Sequence, residues 1–188
     1  MKIIKEIEAY RPFNRQEERD KEMILDFLRN APDAFCRENL LAHMTASAWV
    51  VNRARERVLM AYHNVYGSWA WTGGHADGEQ DLLSVALREV TEETGVRGVR
   101  PVTEDIFSLE ILTVDGHEKR GEYVPSHLHL NLTYLLEADD TGPLRACPGE
   151  NSAVSWFTPE EALAKSAEPW FVERIYSKLI EKTALRRY

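Results

Sequence analysis

At 188 residues, with 44% hydrophobic residues and a net charge of −8 from 31 acidic and 23 basic side chains, the chain has the size of one domain with an extension and enough apolar content for a packed core. That content excludes a disordered chain, and the acidic balance argues against duplex nucleic acid as the main partner, because such modules carry a basic patch. Cys36 and Cys147 are too few and too far apart for a disulfide framework or a zinc-type spacing. The first twenty residues lack the apolar core of a signal peptide. No run approaches the roughly 18 apolar residues of a membrane span, and a reducing cytoplasm is the compartment these features suggest.

Asn14 followed by Glu17 has the form of a capping box. Met23, Ile24, Phe27 and Leu28 then follow helical spacing, which predicts an amphipathic helix over 15–29 that ends before Pro32. Residues 33–41 are expected to add a short second helix. Residues 1–42 thus read as an N-terminal helical extension packed on the core or on a second subunit, which leaves a homodimer open. The main domain is expected over residues 43–188. Residues 44–51, containing Trp49, and residues 57–63 read as a hairpin, and Trp69 and Trp71 alternate as on a strand.

From Gly73 the chain reads GGHADGEQDLLSVALREVTEETGV. A glycine turn is expected first, then a helix. Leu83, Ala86, Leu87 and Val90 fall on one helical face, and Glu89, Glu92 and Glu93 share a second. Three like charges at this spacing repel by a few tenths of a kcal/mol per pair, and a divalent cation among them removes the repulsion. Hard cations such as Mg²⁺ take carboxylate oxygens together with substrate phosphate oxygens. Gly95 is placed to stop the helix.

After Gly95, short strands are expected over 98–103 and 105–114, then a polar connection over 115–125. Residues 126–137 alternate strictly, with His127, His129, Asn131 and Thr133 on one face and Leu128, Leu130, Leu132 and Tyr134 on the other. A loop over 139–149 leads to a strand over 152–157. Thr158, Pro159 and Glu161 mark a helix start, and a last helix is expected over 170–182 with Phe171, Ile175, Leu179 and Ile180 inward. Interleaved helices and hairpins suggest an α/β fold with a mixed sheet covered by helices.

The stretch Gly74–Val96 resembles the signature of the Nudix hydrolase family, G-x5-E-x7-R-E-U-x-E-E-x-G-U, where U is aliphatic. Arg88, Glu89, Val90, Glu92, Glu93, Gly95 and Val96 match it, whereas Gln80 stands where the family has its first glutamate. The resemblance implies an α/β/α sandwich and a Mg²⁺- or Mn²⁺-dependent attack of water on a diphosphate. It implies Glu89, Glu92 and Glu93 as metal ligands, with Glu92 and Glu93 also in the catalytic set, and the Gly74 carbonyl as a further ligand. Arg88 joins the catalytic set by orienting a glutamate. Glu150, six residues before Trp156, matches a glutamate that reaches the metal in some members of the family.

Three further residues are candidates for substrate binding. His127 and His129, on one face of a strand, can donate hydrogen bonds to phosphate if that face lines a cleft. A histidine-bound transition metal is the other reading of the pair, weaker because no HxxxH pattern or cysteine supports it. Trp49 can stack on a base, although large aromatics are more often core. The substrate class implied is a nucleoside diphosphate linked to another moiety, or a related small diphosphate. Two alternatives stand beside hydrolysis. One is an enzyme similar to isopentenyl diphosphate isomerase, whose cysteine motif neither Cys36 nor Cys147 matches. The other is a non-catalytic nucleotide-binding module, a reading that Gln80 leaves open.

Overall fold

Strand and helix stretches alternate along the chain, in keeping with an α/β class. The computed structural model describes residues 1–119 and 121–185. Arg120, within the expected 115–125 connection, and residues 186–188, at the end of the expected main domain, lie outside them. By internal contacts the chain divides into two compact units. The first comprises Met1–Ser47, Gly73–Ala86 and Glu104–Tyr134, and the second Ala48–Thr72, Leu87–Thr103 and Leu135–Tyr188.

The first unit opens with helix α1 (Lys2–Ala9), which the sequence reading missed, and α2 (Arg15–Asn30). Asn14 caps α2 by accepting from the Glu17 amide at 2.9 Å. Glu17 does not complete the expected box. Its carboxylate is fully buried and accepts from the Phe13 amide at 2.7 Å, the Tyr10 hydroxyl at 2.5 Å and the Ser108 hydroxyl at 2.7 Å. Ile24 and Leu28 turn inward, whereas Met23 is 57% exposed. Residues 33–41 form turns rather than the expected helix. The competing signal is Asn39, whose side chain accepts from the amides of Leu41 and Ala42 and donates to Asp33, a local alternative to helical bonding.

The same unit holds most of β1 (Ala42–Val51), β4 (Thr72–His75), β6 (Ser108–Val114) and β9 (His127–Glu137). Within it β4 pairs with β1, and β6 runs antiparallel to β9 with Leu112 opposite His129. The 115–125 connection carries a small antiparallel pair, β7 (His117–Lys119) and β8 (Glu122–Val124). Asn131 on β9 sits in a buried polar layer. Its Oδ1 accepts from the hydroxyls of Thr45 and Ser47 at 3.0 and 2.9 Å, and its Nδ2 donates to Glu110 and Thr133 at 3.1 and 3.2 Å. Every hydrogen-bonding site of the amide is thereby used. The polar face of β9 that reads as cleft or solvent in the sequence is at this point interior.

In the second unit β2 (Val58–His63) pairs antiparallel with β3 (Ser68–Ala70) and β10 (Asn151–Phe157), and meets the end of β1 at Val51 opposite Val58. β5 (Arg100–Pro101), shorter than expected, pairs with the end of β9. Helix α4 (Pro159–Lys165) has a complete capping box between Thr158 and Glu161. The last helical run is broken into α5 (Pro169–Phe171), a π turn over Val172–Tyr176 and α6 (Ser177–Leu185). Tyr176 in the π turn is fully buried and stacks on Trp49, with ring centroids 5.8 Å apart.

Candidate functional site

Helix α3 (Leu82–Thr94) starts where Asp81 takes over the capping role. Asp81 accepts from the Ser84 amide at 3.3 Å and the Ser84 hydroxyl at 2.8 Å. Gln80 beside it is exposed. The glycine pair does not form the expected turn. Gly73 and Gly74 lie in β4, and the turn comes later at Asp77 and Gly78, whose φ angles are +48° and +88°. Gly73 is needed for packing: a Cβ there would lie 2.6 Å from the Ala46 carbonyl and 2.8 Å from Ser47 Cα, so the close approach is to β1.

The buried face of α3 differs from the expected one. Leu82, Val85, Ala86 and Val90 are at most 1% exposed, whereas Leu83 and Leu87 are half-buried. The inward stripe keeps Ala86 and Val90 but is turned by about 75° around the helix. Glu93, seven residues after Ala86, falls on that stripe and is 5% exposed. Glu89 is partly covered and Glu92 is exposed. One helix therefore presents three carboxylates at three depths.

Glu89 has a defined environment. Its side chain is 15% exposed, and Arg88 Nη2 donates to its Oε1 at 3.0 Å. Burial raises its carboxyl above the usual carboxylate range. Arg88 opposes the shift, and the like charges of Glu92 and Glu150 add to it. The loop bearing Glu150 is tied to α3 by Asn151, which is fully buried. Asn151 Nδ2 donates to the Glu93 carbonyl at 2.9 Å, while its Oδ1 accepts from the Cys147 amide at 3.0 Å. Gly95 ends α3 with φ +64°, and a Cβ there would approach Arg145 Cβ to 3.0 Å, so Gly95 is both helix stop and seat for this loop. Asn151 was not foreseen from the sequence; its place next to Glu150 is the signal that could have found it.

The donor set on and near α3 fits a hard divalent cation. The groups are carboxylates, and the observation that tests the fit is Glu89, whose charged form is disfavoured by burial and by two like charges. A bound cation reverses both effects.

The other sequence candidates come from strands. Gly74 is half-buried in β4 of the first unit. Trp49 is fully buried against Tyr176, which corrects its assignment as a stacking surface for a base, since a covered ring offers no face to a ligand. Tyr134 is likewise core, 2% exposed. His127 and His129 are brought together with two histidines that the sequence reading did not join to them, His43 at the start of β1 and His75 at the end of β4. The ligand atoms of the four all lie within 4.8 Å of one another.

Residues 41–179 match the family model described as NUDIX domain. Among curated proteins, a MutT-like protein of Streptomyces ambofaciens is 26% identical over 130 residues, 69% of this chain and 73% of that one. An m7GpppN-mRNA hydrolase, NUDT17 of Xenopus laevis, is 34% identical over 114 residues, 57% of this chain but only 36% of the relative. Among solved structures, a NUDIX hydrolase from Nitrosomonas europaea superposes with a TM-score of 0.56 at 20% identity, covering 77% of this chain and 90% of that one. The C. elegans Ap4A hydrolase in a binary complex gives 0.54 at 18%, covering 76% and 95%. These likenesses extend to the fold: a mixed β-sheet with helices, here preceded by a helical N-terminal segment. Among the described residues no helix is long and apolar enough to cross a membrane.

Proposed function

Since this chain belongs to the Nudix family and is a hydrolase of the pyrophosphohydrolase type, we propose that it cleaves a phosphoanhydride in a nucleoside diphosphate linked to another moiety, or in a related small diphosphate. Mg²⁺ or Mn²⁺ is the cofactor of this reading. The single observation behind it is the Arg88–Glu89 pair, 3.0 Å apart and flanked by the charges of Glu92 and Glu150. Glu89, Glu92, Glu93 and Glu150 are the residues that would hold the cation. When bound, such an ion neutralises diphosphate charge and lowers the pKa of water for attack at phosphorus.

The protein's own residues have separable tasks in this scheme. Arg88 fixes the Glu89 rotamer, so the carboxylate is oriented before substrate arrives. Glu93 is fixed by its burial on the inward stripe of α3. Glu92 is exposed and has the solvent access that a proton acceptor needs. Asn151 holds the Glu150 loop against the end of the helix.

The substrate class draws on the relatives, among them an mRNA cap hydrolase and an Ap4A hydrolase by their names, whose common feature is a phosphoanhydride. The experiment is a screen of nucleoside triphosphates, ADP-ribose, dinucleoside polyphosphates, NADH, nucleotide sugars and coenzyme A with Mg²⁺ or Mn²⁺ in ¹⁸O-labelled water. Solvent oxygen in a phosphate product supports hydrolysis. Turnover without label incorporation points to an isomerase, and tight binding without turnover to a binding module.

A further inference from the structure

We propose that His43, His75, His127 and His129 form a second metal site, a four-imidazole cage for a divalent transition ion of the Zn²⁺ class. The site stands apart in chemistry from the carboxylates of α3. It lies wholly within the first unit, where it joins three strands: the start of β1, the end of β4 and the start of β9.

The geometry is that of ligands around a small ion. His43 is central, its ring centroid 5.0 Å from each of His75, His127 and His129. The Nε2 atoms of His127 and His129 are 3.2 Å apart, a ring-to-ring hydrogen bond in which His129 donates and whose proton a bound cation would displace. Tetrahedral zinc with Zn–N bonds near 2.0–2.1 Å separates its ligands by about 3.3 Å, so that pair is already at coordination distance. The widest separation in the group, under 4.8 Å, closes with small side-chain rotations.

The hydrogen bonds specify which atoms face inward. His43 Nδ1 is 3.0 Å from the Asn39 carbonyl and His127 Nδ1 is 2.8 Å from the Pro125 carbonyl. A carbonyl only accepts, so both Nδ1 atoms carry the proton and donate. In the neutral rings each Nε2 then holds a lone pair. His43 is 3% exposed, and its Nε2 is buried with no hydrogen-bond partner among the described residues. A buried ring nitrogen without a partner carries a desolvation cost, which coordination removes. The pattern of Nδ1–H held by a backbone carbonyl and Nε2 aimed at a common centre is the outer-shell arrangement of metal-ligating histidine.

The same tautomers argue against the phosphate-binding role expected of His127. Inward lone pairs repel an anion and attract a cation. Burial disfavours the charged form of His129 and of His43, and the neutral ring is the form that ligates. Imidazole nitrogen selects zinc, nickel, copper or cobalt over Mg²⁺, which keeps to oxygen.

The test uses the full-length protein stripped with chelator, then dialysed and titrated with Zn²⁺ or Co²⁺ in millimolar Mg²⁺. The expected result is about one tightly held Zn²⁺ per chain, a four-coordinate Co²⁺ absorption spectrum and a higher melting temperature on loading. His43→Asn and His129→Asn should weaken binding by roughly 100-fold or more, since even outer-shell losses cost 10–100-fold. His127→Gln, at a half-buried position, provides a variant that folds if those two do not. Glu92→Gln should leave Zn²⁺ binding unchanged. The proposal is overturned if wild type retains no zinc, if His127→Gln binds it as wild type does, or if Glu92→Gln abolishes it. Stabilisation by inorganic phosphate but not by Zn²⁺ would equally overturn it, by making the cluster an anion site.

Discussion

Glu89→Gln separates the two roles of the acidic helix by the sign of its effects. The substitution keeps the shape and removes one charge from a side chain that is 15% exposed. Without metal it relieves repulsion from Glu92 and Glu150, a few tenths of a kcal/mol per neighbour, and ends the burial of a charge. Against this stands the weakened bond to Arg88, a guanidinium that is 42% exposed and worth no more than about 0.5 kcal/mol in that setting. The balance is a gain of order 0.5 kcal/mol, or roughly 1–2 °C in melting temperature for a chain of this length. With Mg²⁺ the sign reverses: a ligand is weakened where charge develops, and turnover should fall about 100-fold or more, roughly 2.7 kcal/mol. The pH dependence follows from the raised folded pKa of Glu89. A carboxyl raised on folding favours the folded state below its unfolded value and loses that contribution as pH rises through the folded value. The advantage of Glu89→Gln in chelator should therefore be larger at neutral pH and shrink as the pH falls towards 4.5, the ordinary carboxylate value. Melting curves in chelator at several pH values, with turnover in Mg²⁺, make the measurement. A variant less stable than wild type in chelator and equally active in Mg²⁺ would refute the reasoning, since Glu89 would then be a structural partner of Arg88 alone.

Arg88→Ala should lower kcat about 10-fold, roughly 1.4 kcal/mol, with little change in KM, because Arg88 contacts Glu89; a raised KM with unchanged kcat would place the guanidinium on substrate instead. Gln80→Glu should leave the melting temperature within roughly 2 °C and kcat within about two-fold of wild type, since Gln80 is exposed and surface changes of this kind are worth under about 0.5 kcal/mol; a large gain in activity would make it a missing ligand. Asn131→Leu should cost about 3–5 kcal/mol in urea unfolding, because it removes four bonds in a buried layer, to Thr45, Ser47, Thr133 and Glu110, each worth about 1 kcal/mol; a loss under about 1 kcal/mol would mean that water replaces the amide.

The acidic helix α3 was legible because its carboxylates lie close in sequence, whereas Glu150 comes from a distant loop. Arg88, Glu89, Glu92 and Glu93 come from one helix, and helical spacing fixes their relation before any tertiary contact forms. The depth of each carboxylate was not legible. Leu82, Leu83, Val85, Ala86, Leu87 and Val90 allow two overlapping apolar stripes, and only packing chooses between them. The stripe that is buried includes Glu93 and leaves Glu92 outside, which is why different tasks are proposed for the two glutamates. A similar competition explains residues 33–41, where Asn39 bonds locally, and Trp49, whose partner Tyr176 is placed by a π turn that no sequence period announces.

The histidines show the complementary limit. Alternation put His127 and His129 on one face of β9, and that much was read. His43 and His75 reach the same point only because β1 pairs with β4 and neighbours β9, relations set by strand register between distant segments. The Nδ1 atoms of His43 and His127 are anchored on carbonyls only two to four residues away in sequence, so each ring is oriented by its own strand end before the strands meet. Sheet formation then brings the four rings together, where the Nε2 lone pair of His43 has no hydrogen-bond partner among the described residues and a cation would take it up. Oxygen donors from α3 and the Glu150 loop and nitrogen donors from three strands differ in chemical softness. A metal exchange series should address them one at a time, with Mg²⁺ acting through the carboxylates and Zn²⁺ through the imidazoles.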